Sequence, residues 1–276
     1  MTNDEMTKEM EDKIYTPVNN LLFSCYCEKQ RGHEQFIPEH SLGYIISGDI
    51  QMHTSEGSAV LKEGTIGIIR RNYLVKSVKI PPPGGEFKSI NIFLGQDFLR
   101  HYCAENKLAA AAKYVGSPMR QLSPDPFIKG YFDSLLPWFN STEQPSDLLA
   151  ALKTKEAVEL LLRLEPDFYN FLFDFSEPYK IDLEDYMNRH YMFNVPVNQF
   201  ARLTGRSLAS FKRDFEKVFQ TSPGQWLQQK RLKEAYYQIR EKGRKPSDVY
   251  LDVGFENLSH FSYSFKKAFG VTPSMV

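Results

Sequence analysis

Ala209, Ser210, Arg213 and Lys217 fall at helical spacing, with Ser207 just ahead of them and Lys212 on the flank. Fifty positions later Ser259, His260, Tyr263 and Lys267 fall at the same spacing, with Ser262 and Lys266 beside them. Each set mixes hydroxyls, a small or aromatic side chain and cations, and neither contains a carboxylate. Such side chains suit the major groove of a nucleic acid duplex. Arg or Lys can donate to guanine, Ser can bond several base edges, and methyl groups can meet thymine. A solvated basic helix face could carry the same residues, so the elements that present them must decide.

Those elements are duplicated. Residues 207–223 read SLASFKRDFEKVFQTSP and residues 257–273 read NLSHFSYSFKKAFGVTP, with six identities in seventeen positions. The repeated apolar residues (Leu208, Phe211, Phe215, Phe219 and Leu258, Phe261, Phe265, Phe269) recur along one helical face. Leu208, Phe211 and Phe215 are therefore expected in the core. A short helix ending near Gly205 or Gly254 precedes each copy, giving two helix-turn-helix units over 196–220 and 246–270. Ser222, Pro223 and Gln225 supply an N-cap, an N1 proline and a capping-box partner for a long helix joining the units. An earlier helix is expected around Leu183, Tyr186, Met187 and His190.

Charge supports this placement. The chain of 276 residues has no formal net charge, yet residues 1–180 hold 19 Lys/Arg against 24 Asp/Glu and residues 181–276 hold 15 against 10. The basic excess thus falls on the duplicated region. Lys230 and Lys233 in the joining helix are candidates for phosphate contacts.

The first half has a different texture. Short apolar runs between Leu21 and Leu94, punctuated by Gly and Pro, predict a β-sandwich or small barrel. Helical patterns follow over Asp97–Val115, Pro126–Asn140 and Asp147–Phe173. The expected division is a flexible segment over 1–20, a β domain over 21–96, a helical dimerisation or linker region over 97–173, a hinge over 174–180 and an all-α domain over 181–276. Phe98, Leu99 and Tyr102 could form an exposed dimerising stripe or pack into the core. No run is long and apolar enough for a membrane span, and no signal-peptide pattern opens the chain. Cys25, Cys27 and Cys103, without C-x-x-C spacing, read as reduced thiols of a cytoplasmic protein.

The stretch VGFENLSHFSYSFKKAFGVTP (Val253–Pro273), with Arg231-Leu232 in the joining helix, resembles the DNA-binding domain of the AraC/XylS family of bacterial regulators. Gln220 stands where that family usually has glycine, and Pro246 and Tyr250 replace its usual Ile and Ala. The resemblance implies one monomer placing two recognition helices in successive major grooves. It also implies an α+β multidomain architecture with an N-terminal cupin-like β-barrel and dimerising helices, activation of transcription, RNA polymerase as a partner and no cofactor.

A small-molecule or protein effector acting on the N-terminal domain follows from the same resemblance. Tyr26, Phe36 and Tyr44 are the aromatics that could line its pocket, although each could equally be core. The competing function is a cupin-type small-molecule-binding protein or metal-dependent enzyme with a structural helical C-terminus. Its candidate ligands are His33, His40 and His53, with Glu34 and Glu39 nearby. The closely spaced histidine pair with a following glutamate that would serve a metal is absent.

Overall fold

A computed structural model of the chain describes residues 20–31, 36–139, 141, 145–178 and 180–276. Residues 1–19 of the expected flexible segment, and His33 and Glu34, lie outside these described residues. The chain divides into two compact units, one ending at Ser176 and the other spanning Glu177–Val276. Among the described residues, no helix is long and apolar enough to cross a membrane.

The first unit is built on antiparallel strands: β1 (Leu21–Tyr26), β2 (Gln30–Arg31), β3 (Phe36–Ile37), β4 (His40–Ser47), β5 (Asp49–Thr54), β6 (Gly57–Leu61), β7 (Ile66–Ile69), β8 (Tyr73–Leu74), β9 (Lys76–Ile80), β10 (Phe87–Leu94) and β11 (Met119–Gln121). They form a five-stranded sheet ordered β1-β10-β4-β7-β11, a four-stranded sheet ordered β2-β9-β5-β6 and a β3-β8 pair. The expected barrel is therefore not closed. Strands β4 and β5 are consecutive yet belong to different sheets, and among the described residues no ladder joins the sheet edges. The crossing between them is made at Gly48, which has φ +82; a Cβ there would lie 2.5 Å from the Ile80 carbonyl oxygen. Only glycine accepts both conditions.

Alternation along the strands sorts side chains between two faces. Leu42, Tyr44, Ile68, Ile90 and Ile92 share one core with residues of the helices that follow. Those helices are α1 (Gln96–Asn106), α2 (Pro126–Phe139), α3 (Asp147–Leu164) and α4 (Phe168–Phe173). Ile45, Ile50, Met52, Val75 and Phe87 form a second, smaller core.

Two helical expectations are corrected. The helix expected over Asp97–Val115 stops at Asn106, where Lys107 turns left-handed at φ 52. The one expected over Asp147–Phe173 is interrupted after Leu164 and resumes at Phe168. Pro166 in the gap cannot donate the backbone hydrogen bond that a continuous helix needs. Leu99 and Tyr102 are 0% and 2% exposed, so of the two readings of that stripe, core packing holds for this pair. Leu148 and Leu152 of α3 are 71% and 54% exposed, so its apolar spacing is only partly covered.

The first unit closes on a charged clamp. Arg70 Nη2 lies 2.7 Å from Asp174 Oδ2, and Arg71 Nη2 donates to the Asp174 and Ser176 carbonyls at 3.2 and 2.9 Å. The Tyr114 amide also donates to the Asp174 carboxylate at 3.1 Å.

The second unit is helical: α5 (Leu183–His190), α6 (Val197–Leu203), α7 (Leu208–Phe219), α8 (Pro223–Arg240), α9 (Pro246–Asp252) and α10 (Leu258–Phe269). Side-chain caps begin the longer ones. Asp182, Ser207 and Ser222 each accept from the amide three residues on, and Asn257 Oδ1 accepts from the Ser259 and His260 amides. Each cap satisfies amides that have no partner within the helix. The expected Ser222–Gln225 pair forms, with Ser222 Oγ donating to Gln225 Oε1 at 3.1 Å.

Candidate nucleic-acid interface

The duplicated sequence folds as duplicated geometry. Phe211 and Phe215 in α7, and Phe261 and Phe265 in α10, are all fully buried. Ring centroids of Phe211 and Phe215 are 5.5 Å apart, and those of Phe261 and Phe265 are 5.6 Å apart. Phe219 then packs on Trp226 at 4.6 Å, and Phe269 on Tyr236 at 4.8 Å, so each long helix is seated against α8 by the same aromatic stack. Burying these rings fixes which sides of α7 and α10 face solvent.

Leu208 and Leu258 depart from expectation. Both are 41% exposed, so the inward face begins at Phe211 and Phe261. They stand at the first helical position, before the helix has reached the core it packs on. The equal exposure of the pair is a further sign of duplication.

Ser207, Ala209, Lys212, Arg213 and Lys217 are exposed on α7 and its cap, with Ser210 half-buried. Ser207 Oγ caps the helix by accepting from the Ser210 amide at 3.2 Å. Arg213 keeps a side chain 67% exposed, with Nη2 3.3 Å from Ser210 Oγ. On α10, Ser259, His260, Tyr263, Lys266 and Lys267 are exposed and Ser262 is half-buried. Tyr263 is 69% exposed, unusually far for an aromatic ring, and α10 contains no acidic residue. Lys233 is exposed on α8, whereas Lys230 is half-buried with its ammonium 5.6 Å from the Trp226 ring centroid. The structure thus gathers the α7 set on one helix and the α10 set on another, each presented by the same inward rings.

Two positioning residues carried no role in the sequence reading. Arg206, in the first turn, reaches Asp214 of α7 at 3.1 Å and donates to the Ile181 and Thr204 carbonyls at 3.0 and 2.7 Å. Lys180 and Arg206 together hold the Asp214 carboxyl below its usual range. Arg231 of α8 donates to the backbone oxygens of Tyr191, Phe193 and Gly254. Burial lowers its pKa to about 10, which leaves it charged at neutral pH. An Arg following a glycine turn was a visible signal for the first. The second was visible only as part of the family resemblance.

The aromatics proposed for an effector pocket do not converge. Tyr26 lies under the Lys79 ammonium, 4.4 Å from its ring centroid, and Phe36 pairs with Leu74 in the short ladder. Tyr44 packs on Phe132 at 5.2 Å, yet also borders a cavity between the sheets. The histidines are likewise dispersed. His53 Nδ1 is 2.7 Å from Ser58 Oγ, and His40 is fully buried with Nδ1 accepting from the Arg71 amide at 3.4 Å. Glu39 accepts from the Gln96 amide at the start of α1. Among the described residues, no group of three or more His, Cys, Asp or Glu side chains could hold a metal ion.

Comparison with known proteins gives independent matches to both units. Residues 200–276 match a family model described as a helix-turn-helix domain, and residues 40–171 match one described as the ExsA N-terminal regulatory domain. The HTH-type transcriptional regulator ExsA of Pseudomonas aeruginosa is 24% identical over 243 residues, covering 86% of this chain and 85% of its own. The virulence regulon transcriptional activator VirF of Yersinia enterocolitica is 26% identical over 251 residues, covering 86% and 90%. Among solved structures, an apo form of ToxT from Vibrio cholerae is similar at 12% identity with a TM-score of 0.45, covering 94% of this chain and 97% of that one. With two helix-turn-helix units joined by α8 behind a sheet-rich regulatory unit, this chain belongs to the AraC/XylS family of DNA-binding transcription regulators.

Proposed function

We propose that the chain is a transcription activator that reads two successive major grooves on one face of a DNA duplex with α7 and α10, under the control of an effector acting on the first unit. The observation that carries this reading is the shared seating of α7 and α10. Identical pairs of buried phenylalanines leave Arg213 and Lys217 exposed on one helix, and Tyr263 and Lys267 on the other. Successive grooves on one face recur every ~34 Å, and where the helices lie closer the duplex must bend. Exposed lysines, Lys233 among them, supply the salt-dependent phosphate attraction. RNA polymerase, a second copy of the chain and the cytoplasmic nucleoid complete the proposed setting.

The test is selection of bound sequences from random duplexes by the full-length chain, followed by mapping of its genomic sites. The expected consensus has two short elements separated by about one helical turn, ~10 base pairs. Binding with no preference over random competitor at moderate salt would reject the reading.

A further inference from the structure

Ile45, Ile69 and Phe87 fill one part of the layer between the five-stranded sheet and its partner, but the rest of that inner face lacks large apolar side chains. Ser41 and Gly43 of β4, Gly67 of β7, and Ser89 and Asn91 of β10 stand there instead. Gly43 pairs directly with Gly67 across the β4–β7 ladder, and Asn91 pairs with Gly43 on the other side. Ser41 and Ser89 are only 8% and 2% exposed, so these polar groups are held inside the unit. Facing them from the second sheet are Ile50, Met52, Ala59 and Leu61, with Met119 alongside. Between the two walls lies a cavity of about 230 Å³. Small residues in a sheet interior weaken packing and mark places where something else approaches the backbone.

The chemistry of the lining selects the occupant. One wall is apolar, and the other offers the hydroxyls of Ser41, Thr65 and Ser89 and the amides of Asn91 and Gln121. Among the described residues the Asn91 amide makes only a long contact, 3.5 Å from Nδ2 to Ser89 Oγ. Arg120 is the one charged residue of the lining among those described, and it is engaged elsewhere. Its guanidinium pairs with Glu165 and with Asp167, and stacks 4.6 Å over Phe168. A carboxylate or ammonium would enter without a counter-charge and would lose its hydration. By volume the space takes about ten non-hydrogen atoms.

We propose that this cavity binds a small neutral molecule with an apolar chain and a single amide-like head. The head meets Asn91, Ser41 and Ser89, and the chain lies against Ile50, Met52, Leu61 and Met119. This rests on the effector reading above and gives the effector a site and a chemical class. Strand β7 contributes Gly67, Ile68 and Ile69 to the lining and runs on into Arg70 and Arg71, which hold Asp174 and Ser176. Filling the cavity therefore bears on the last segment of the first unit.

The test uses the full-length chain carrying 13C-methyl methionine, titrated with butanamide, hexanamide and octanamide, and with octanoate at pH 7. The Met52 and Met119 methyl resonances are expected to move with the amides, half-saturation falling several-fold at each step in chain length. Met187, Met192 and Met275 of the second unit serve as references for nonspecific effects. Octanoate is expected to bind at least tenfold more weakly than octanamide. Ala59→Leu, which fills the space, should abolish the shifts, and Asn91→Val should weaken octanamide about tenfold while preserving the fold. Stationary Met52 and Met119 signals with every amide, equal binding of octanoate, or unchanged binding by both variants would overturn the site. Saturation that leaves DNA affinity unchanged would keep the site and overturn the effector reading, whereas loss of the site alone leaves the DNA reading intact.

Discussion

Arg231 Nη1 donates to the Gly254 carbonyl oxygen at 3.0 Å, tying the middle of α8 to the turn of the second helix-turn-helix unit. The same guanidinium takes the Tyr191 oxygen at 2.7 Å through Nε and the Phe193 oxygen at 2.8 Å through Nη2, at the end of α5. Gly254 has φ +97, and a Cβ on it would lie 2.7 Å from the Met192 oxygen and 2.9 Å from Arg231 Nε. The glycine and the arginine are thus mutual requirements: one makes room for the fork, and the other satisfies three part-buried carbonyls at the turns.

Replacing Arg231 with Met should therefore destabilise the second unit by roughly 3 kcal/mol, because the carbonyls lose their donors while the buried stem is kept. Lysine should recover only a minor part, since a point cation cannot span three diverging acceptors. Gly254→Ala should cost a similar amount through the close approach and the left-handed backbone. Urea unfolding of the variants, followed by Trp226 fluorescence, measures each loss. A cost under about 0.5 kcal/mol for Arg231→Met would show the fork to be incidental.

The two recognition helices end in the same backbone conformation with different residues. Gln220 adopts φ 55 at the end of α7, where Gly270 adopts φ 78 at the end of α10. A side chain in that region costs about 1 kcal/mol, partly offset here by Gln220 Nε2 donating to the Lys217 oxygen at 2.9 Å. Gln220→Gly should raise stability by roughly 0.5 kcal/mol, and Gly270→Ala should lower it by about 1 kcal/mol. Among the described residues other than its chain neighbours, none has an atom within 4 Å of the Gly270 Cβ position, so that loss is conformational rather than steric. Thermal melts of the two variants should move in opposite directions.

The second unit was largely legible because its signals are local. The repeated phenylalanines, the Ser207 and Ser222 caps and the glycine turns each act within one or two helical turns. The first unit was legible as strands followed by helices but not as sheets. Which strands pair depends on contacts such as Ser41–Ile69, far apart in the chain, and periodicity says nothing about them. Alternation also gives no sign of which face is inner, so the small polar row of Ser41, Gly43, Ser89 and Asn91 passed as ordinary strand sequence. Leu148 and Leu152 show the converse: helical spacing identifies a shared face but does not guarantee that another element covers it.

Base reading and phosphate attraction separate in a binding experiment. Arg213 is exposed in the middle of α7, and Ala in its place should weaken the selected site by about 1–3 kcal/mol and relax preference at one base pair. Lys233 is exposed on α8, and Lys233→Ala should weaken selected and scrambled duplexes alike, lowering the magnitude of the salt slope by about one. Affinities for both duplexes across a salt series give the comparison. Equal losses on the two duplexes for Arg213→Ala would remove it from base recognition.

Acid should unfold the first unit earlier than its carboxylates require, through His40. This imidazole is fully buried, with Arg70 and Arg71 nearby, and among the described residues Nε2 has no hydrogen-bond partner. Burial first, and the two guanidinium groups second, lower its pKa to about 3, with the Asp174 carboxylate opposing them. In the unfolded chain the imidazole titrates near its usual value of about 6.5. Between those values the unfolded state binds the extra proton, so stability falls as pH falls, by up to about 1.4 kcal/mol per pH unit, and levels off near pH 3. Asp174 contributes in a lower window. Burial raises its pKa, but the Ser176 hydroxyl and amide, the Tyr114 amide and Arg70 outweigh that, and the net depression removes stability only below about pH 4. The slope between pH 6 and 4.5 is thus assigned to His40, and His40→Gln should flatten it there while leaving the steeper loss at lower pH. Since the chain has two tryptophans, Trp226→Phe leaves Trp138 as a reporter of the first unit alone. An unchanged slope in His40→Gln would transfer the acid sensitivity to other groups.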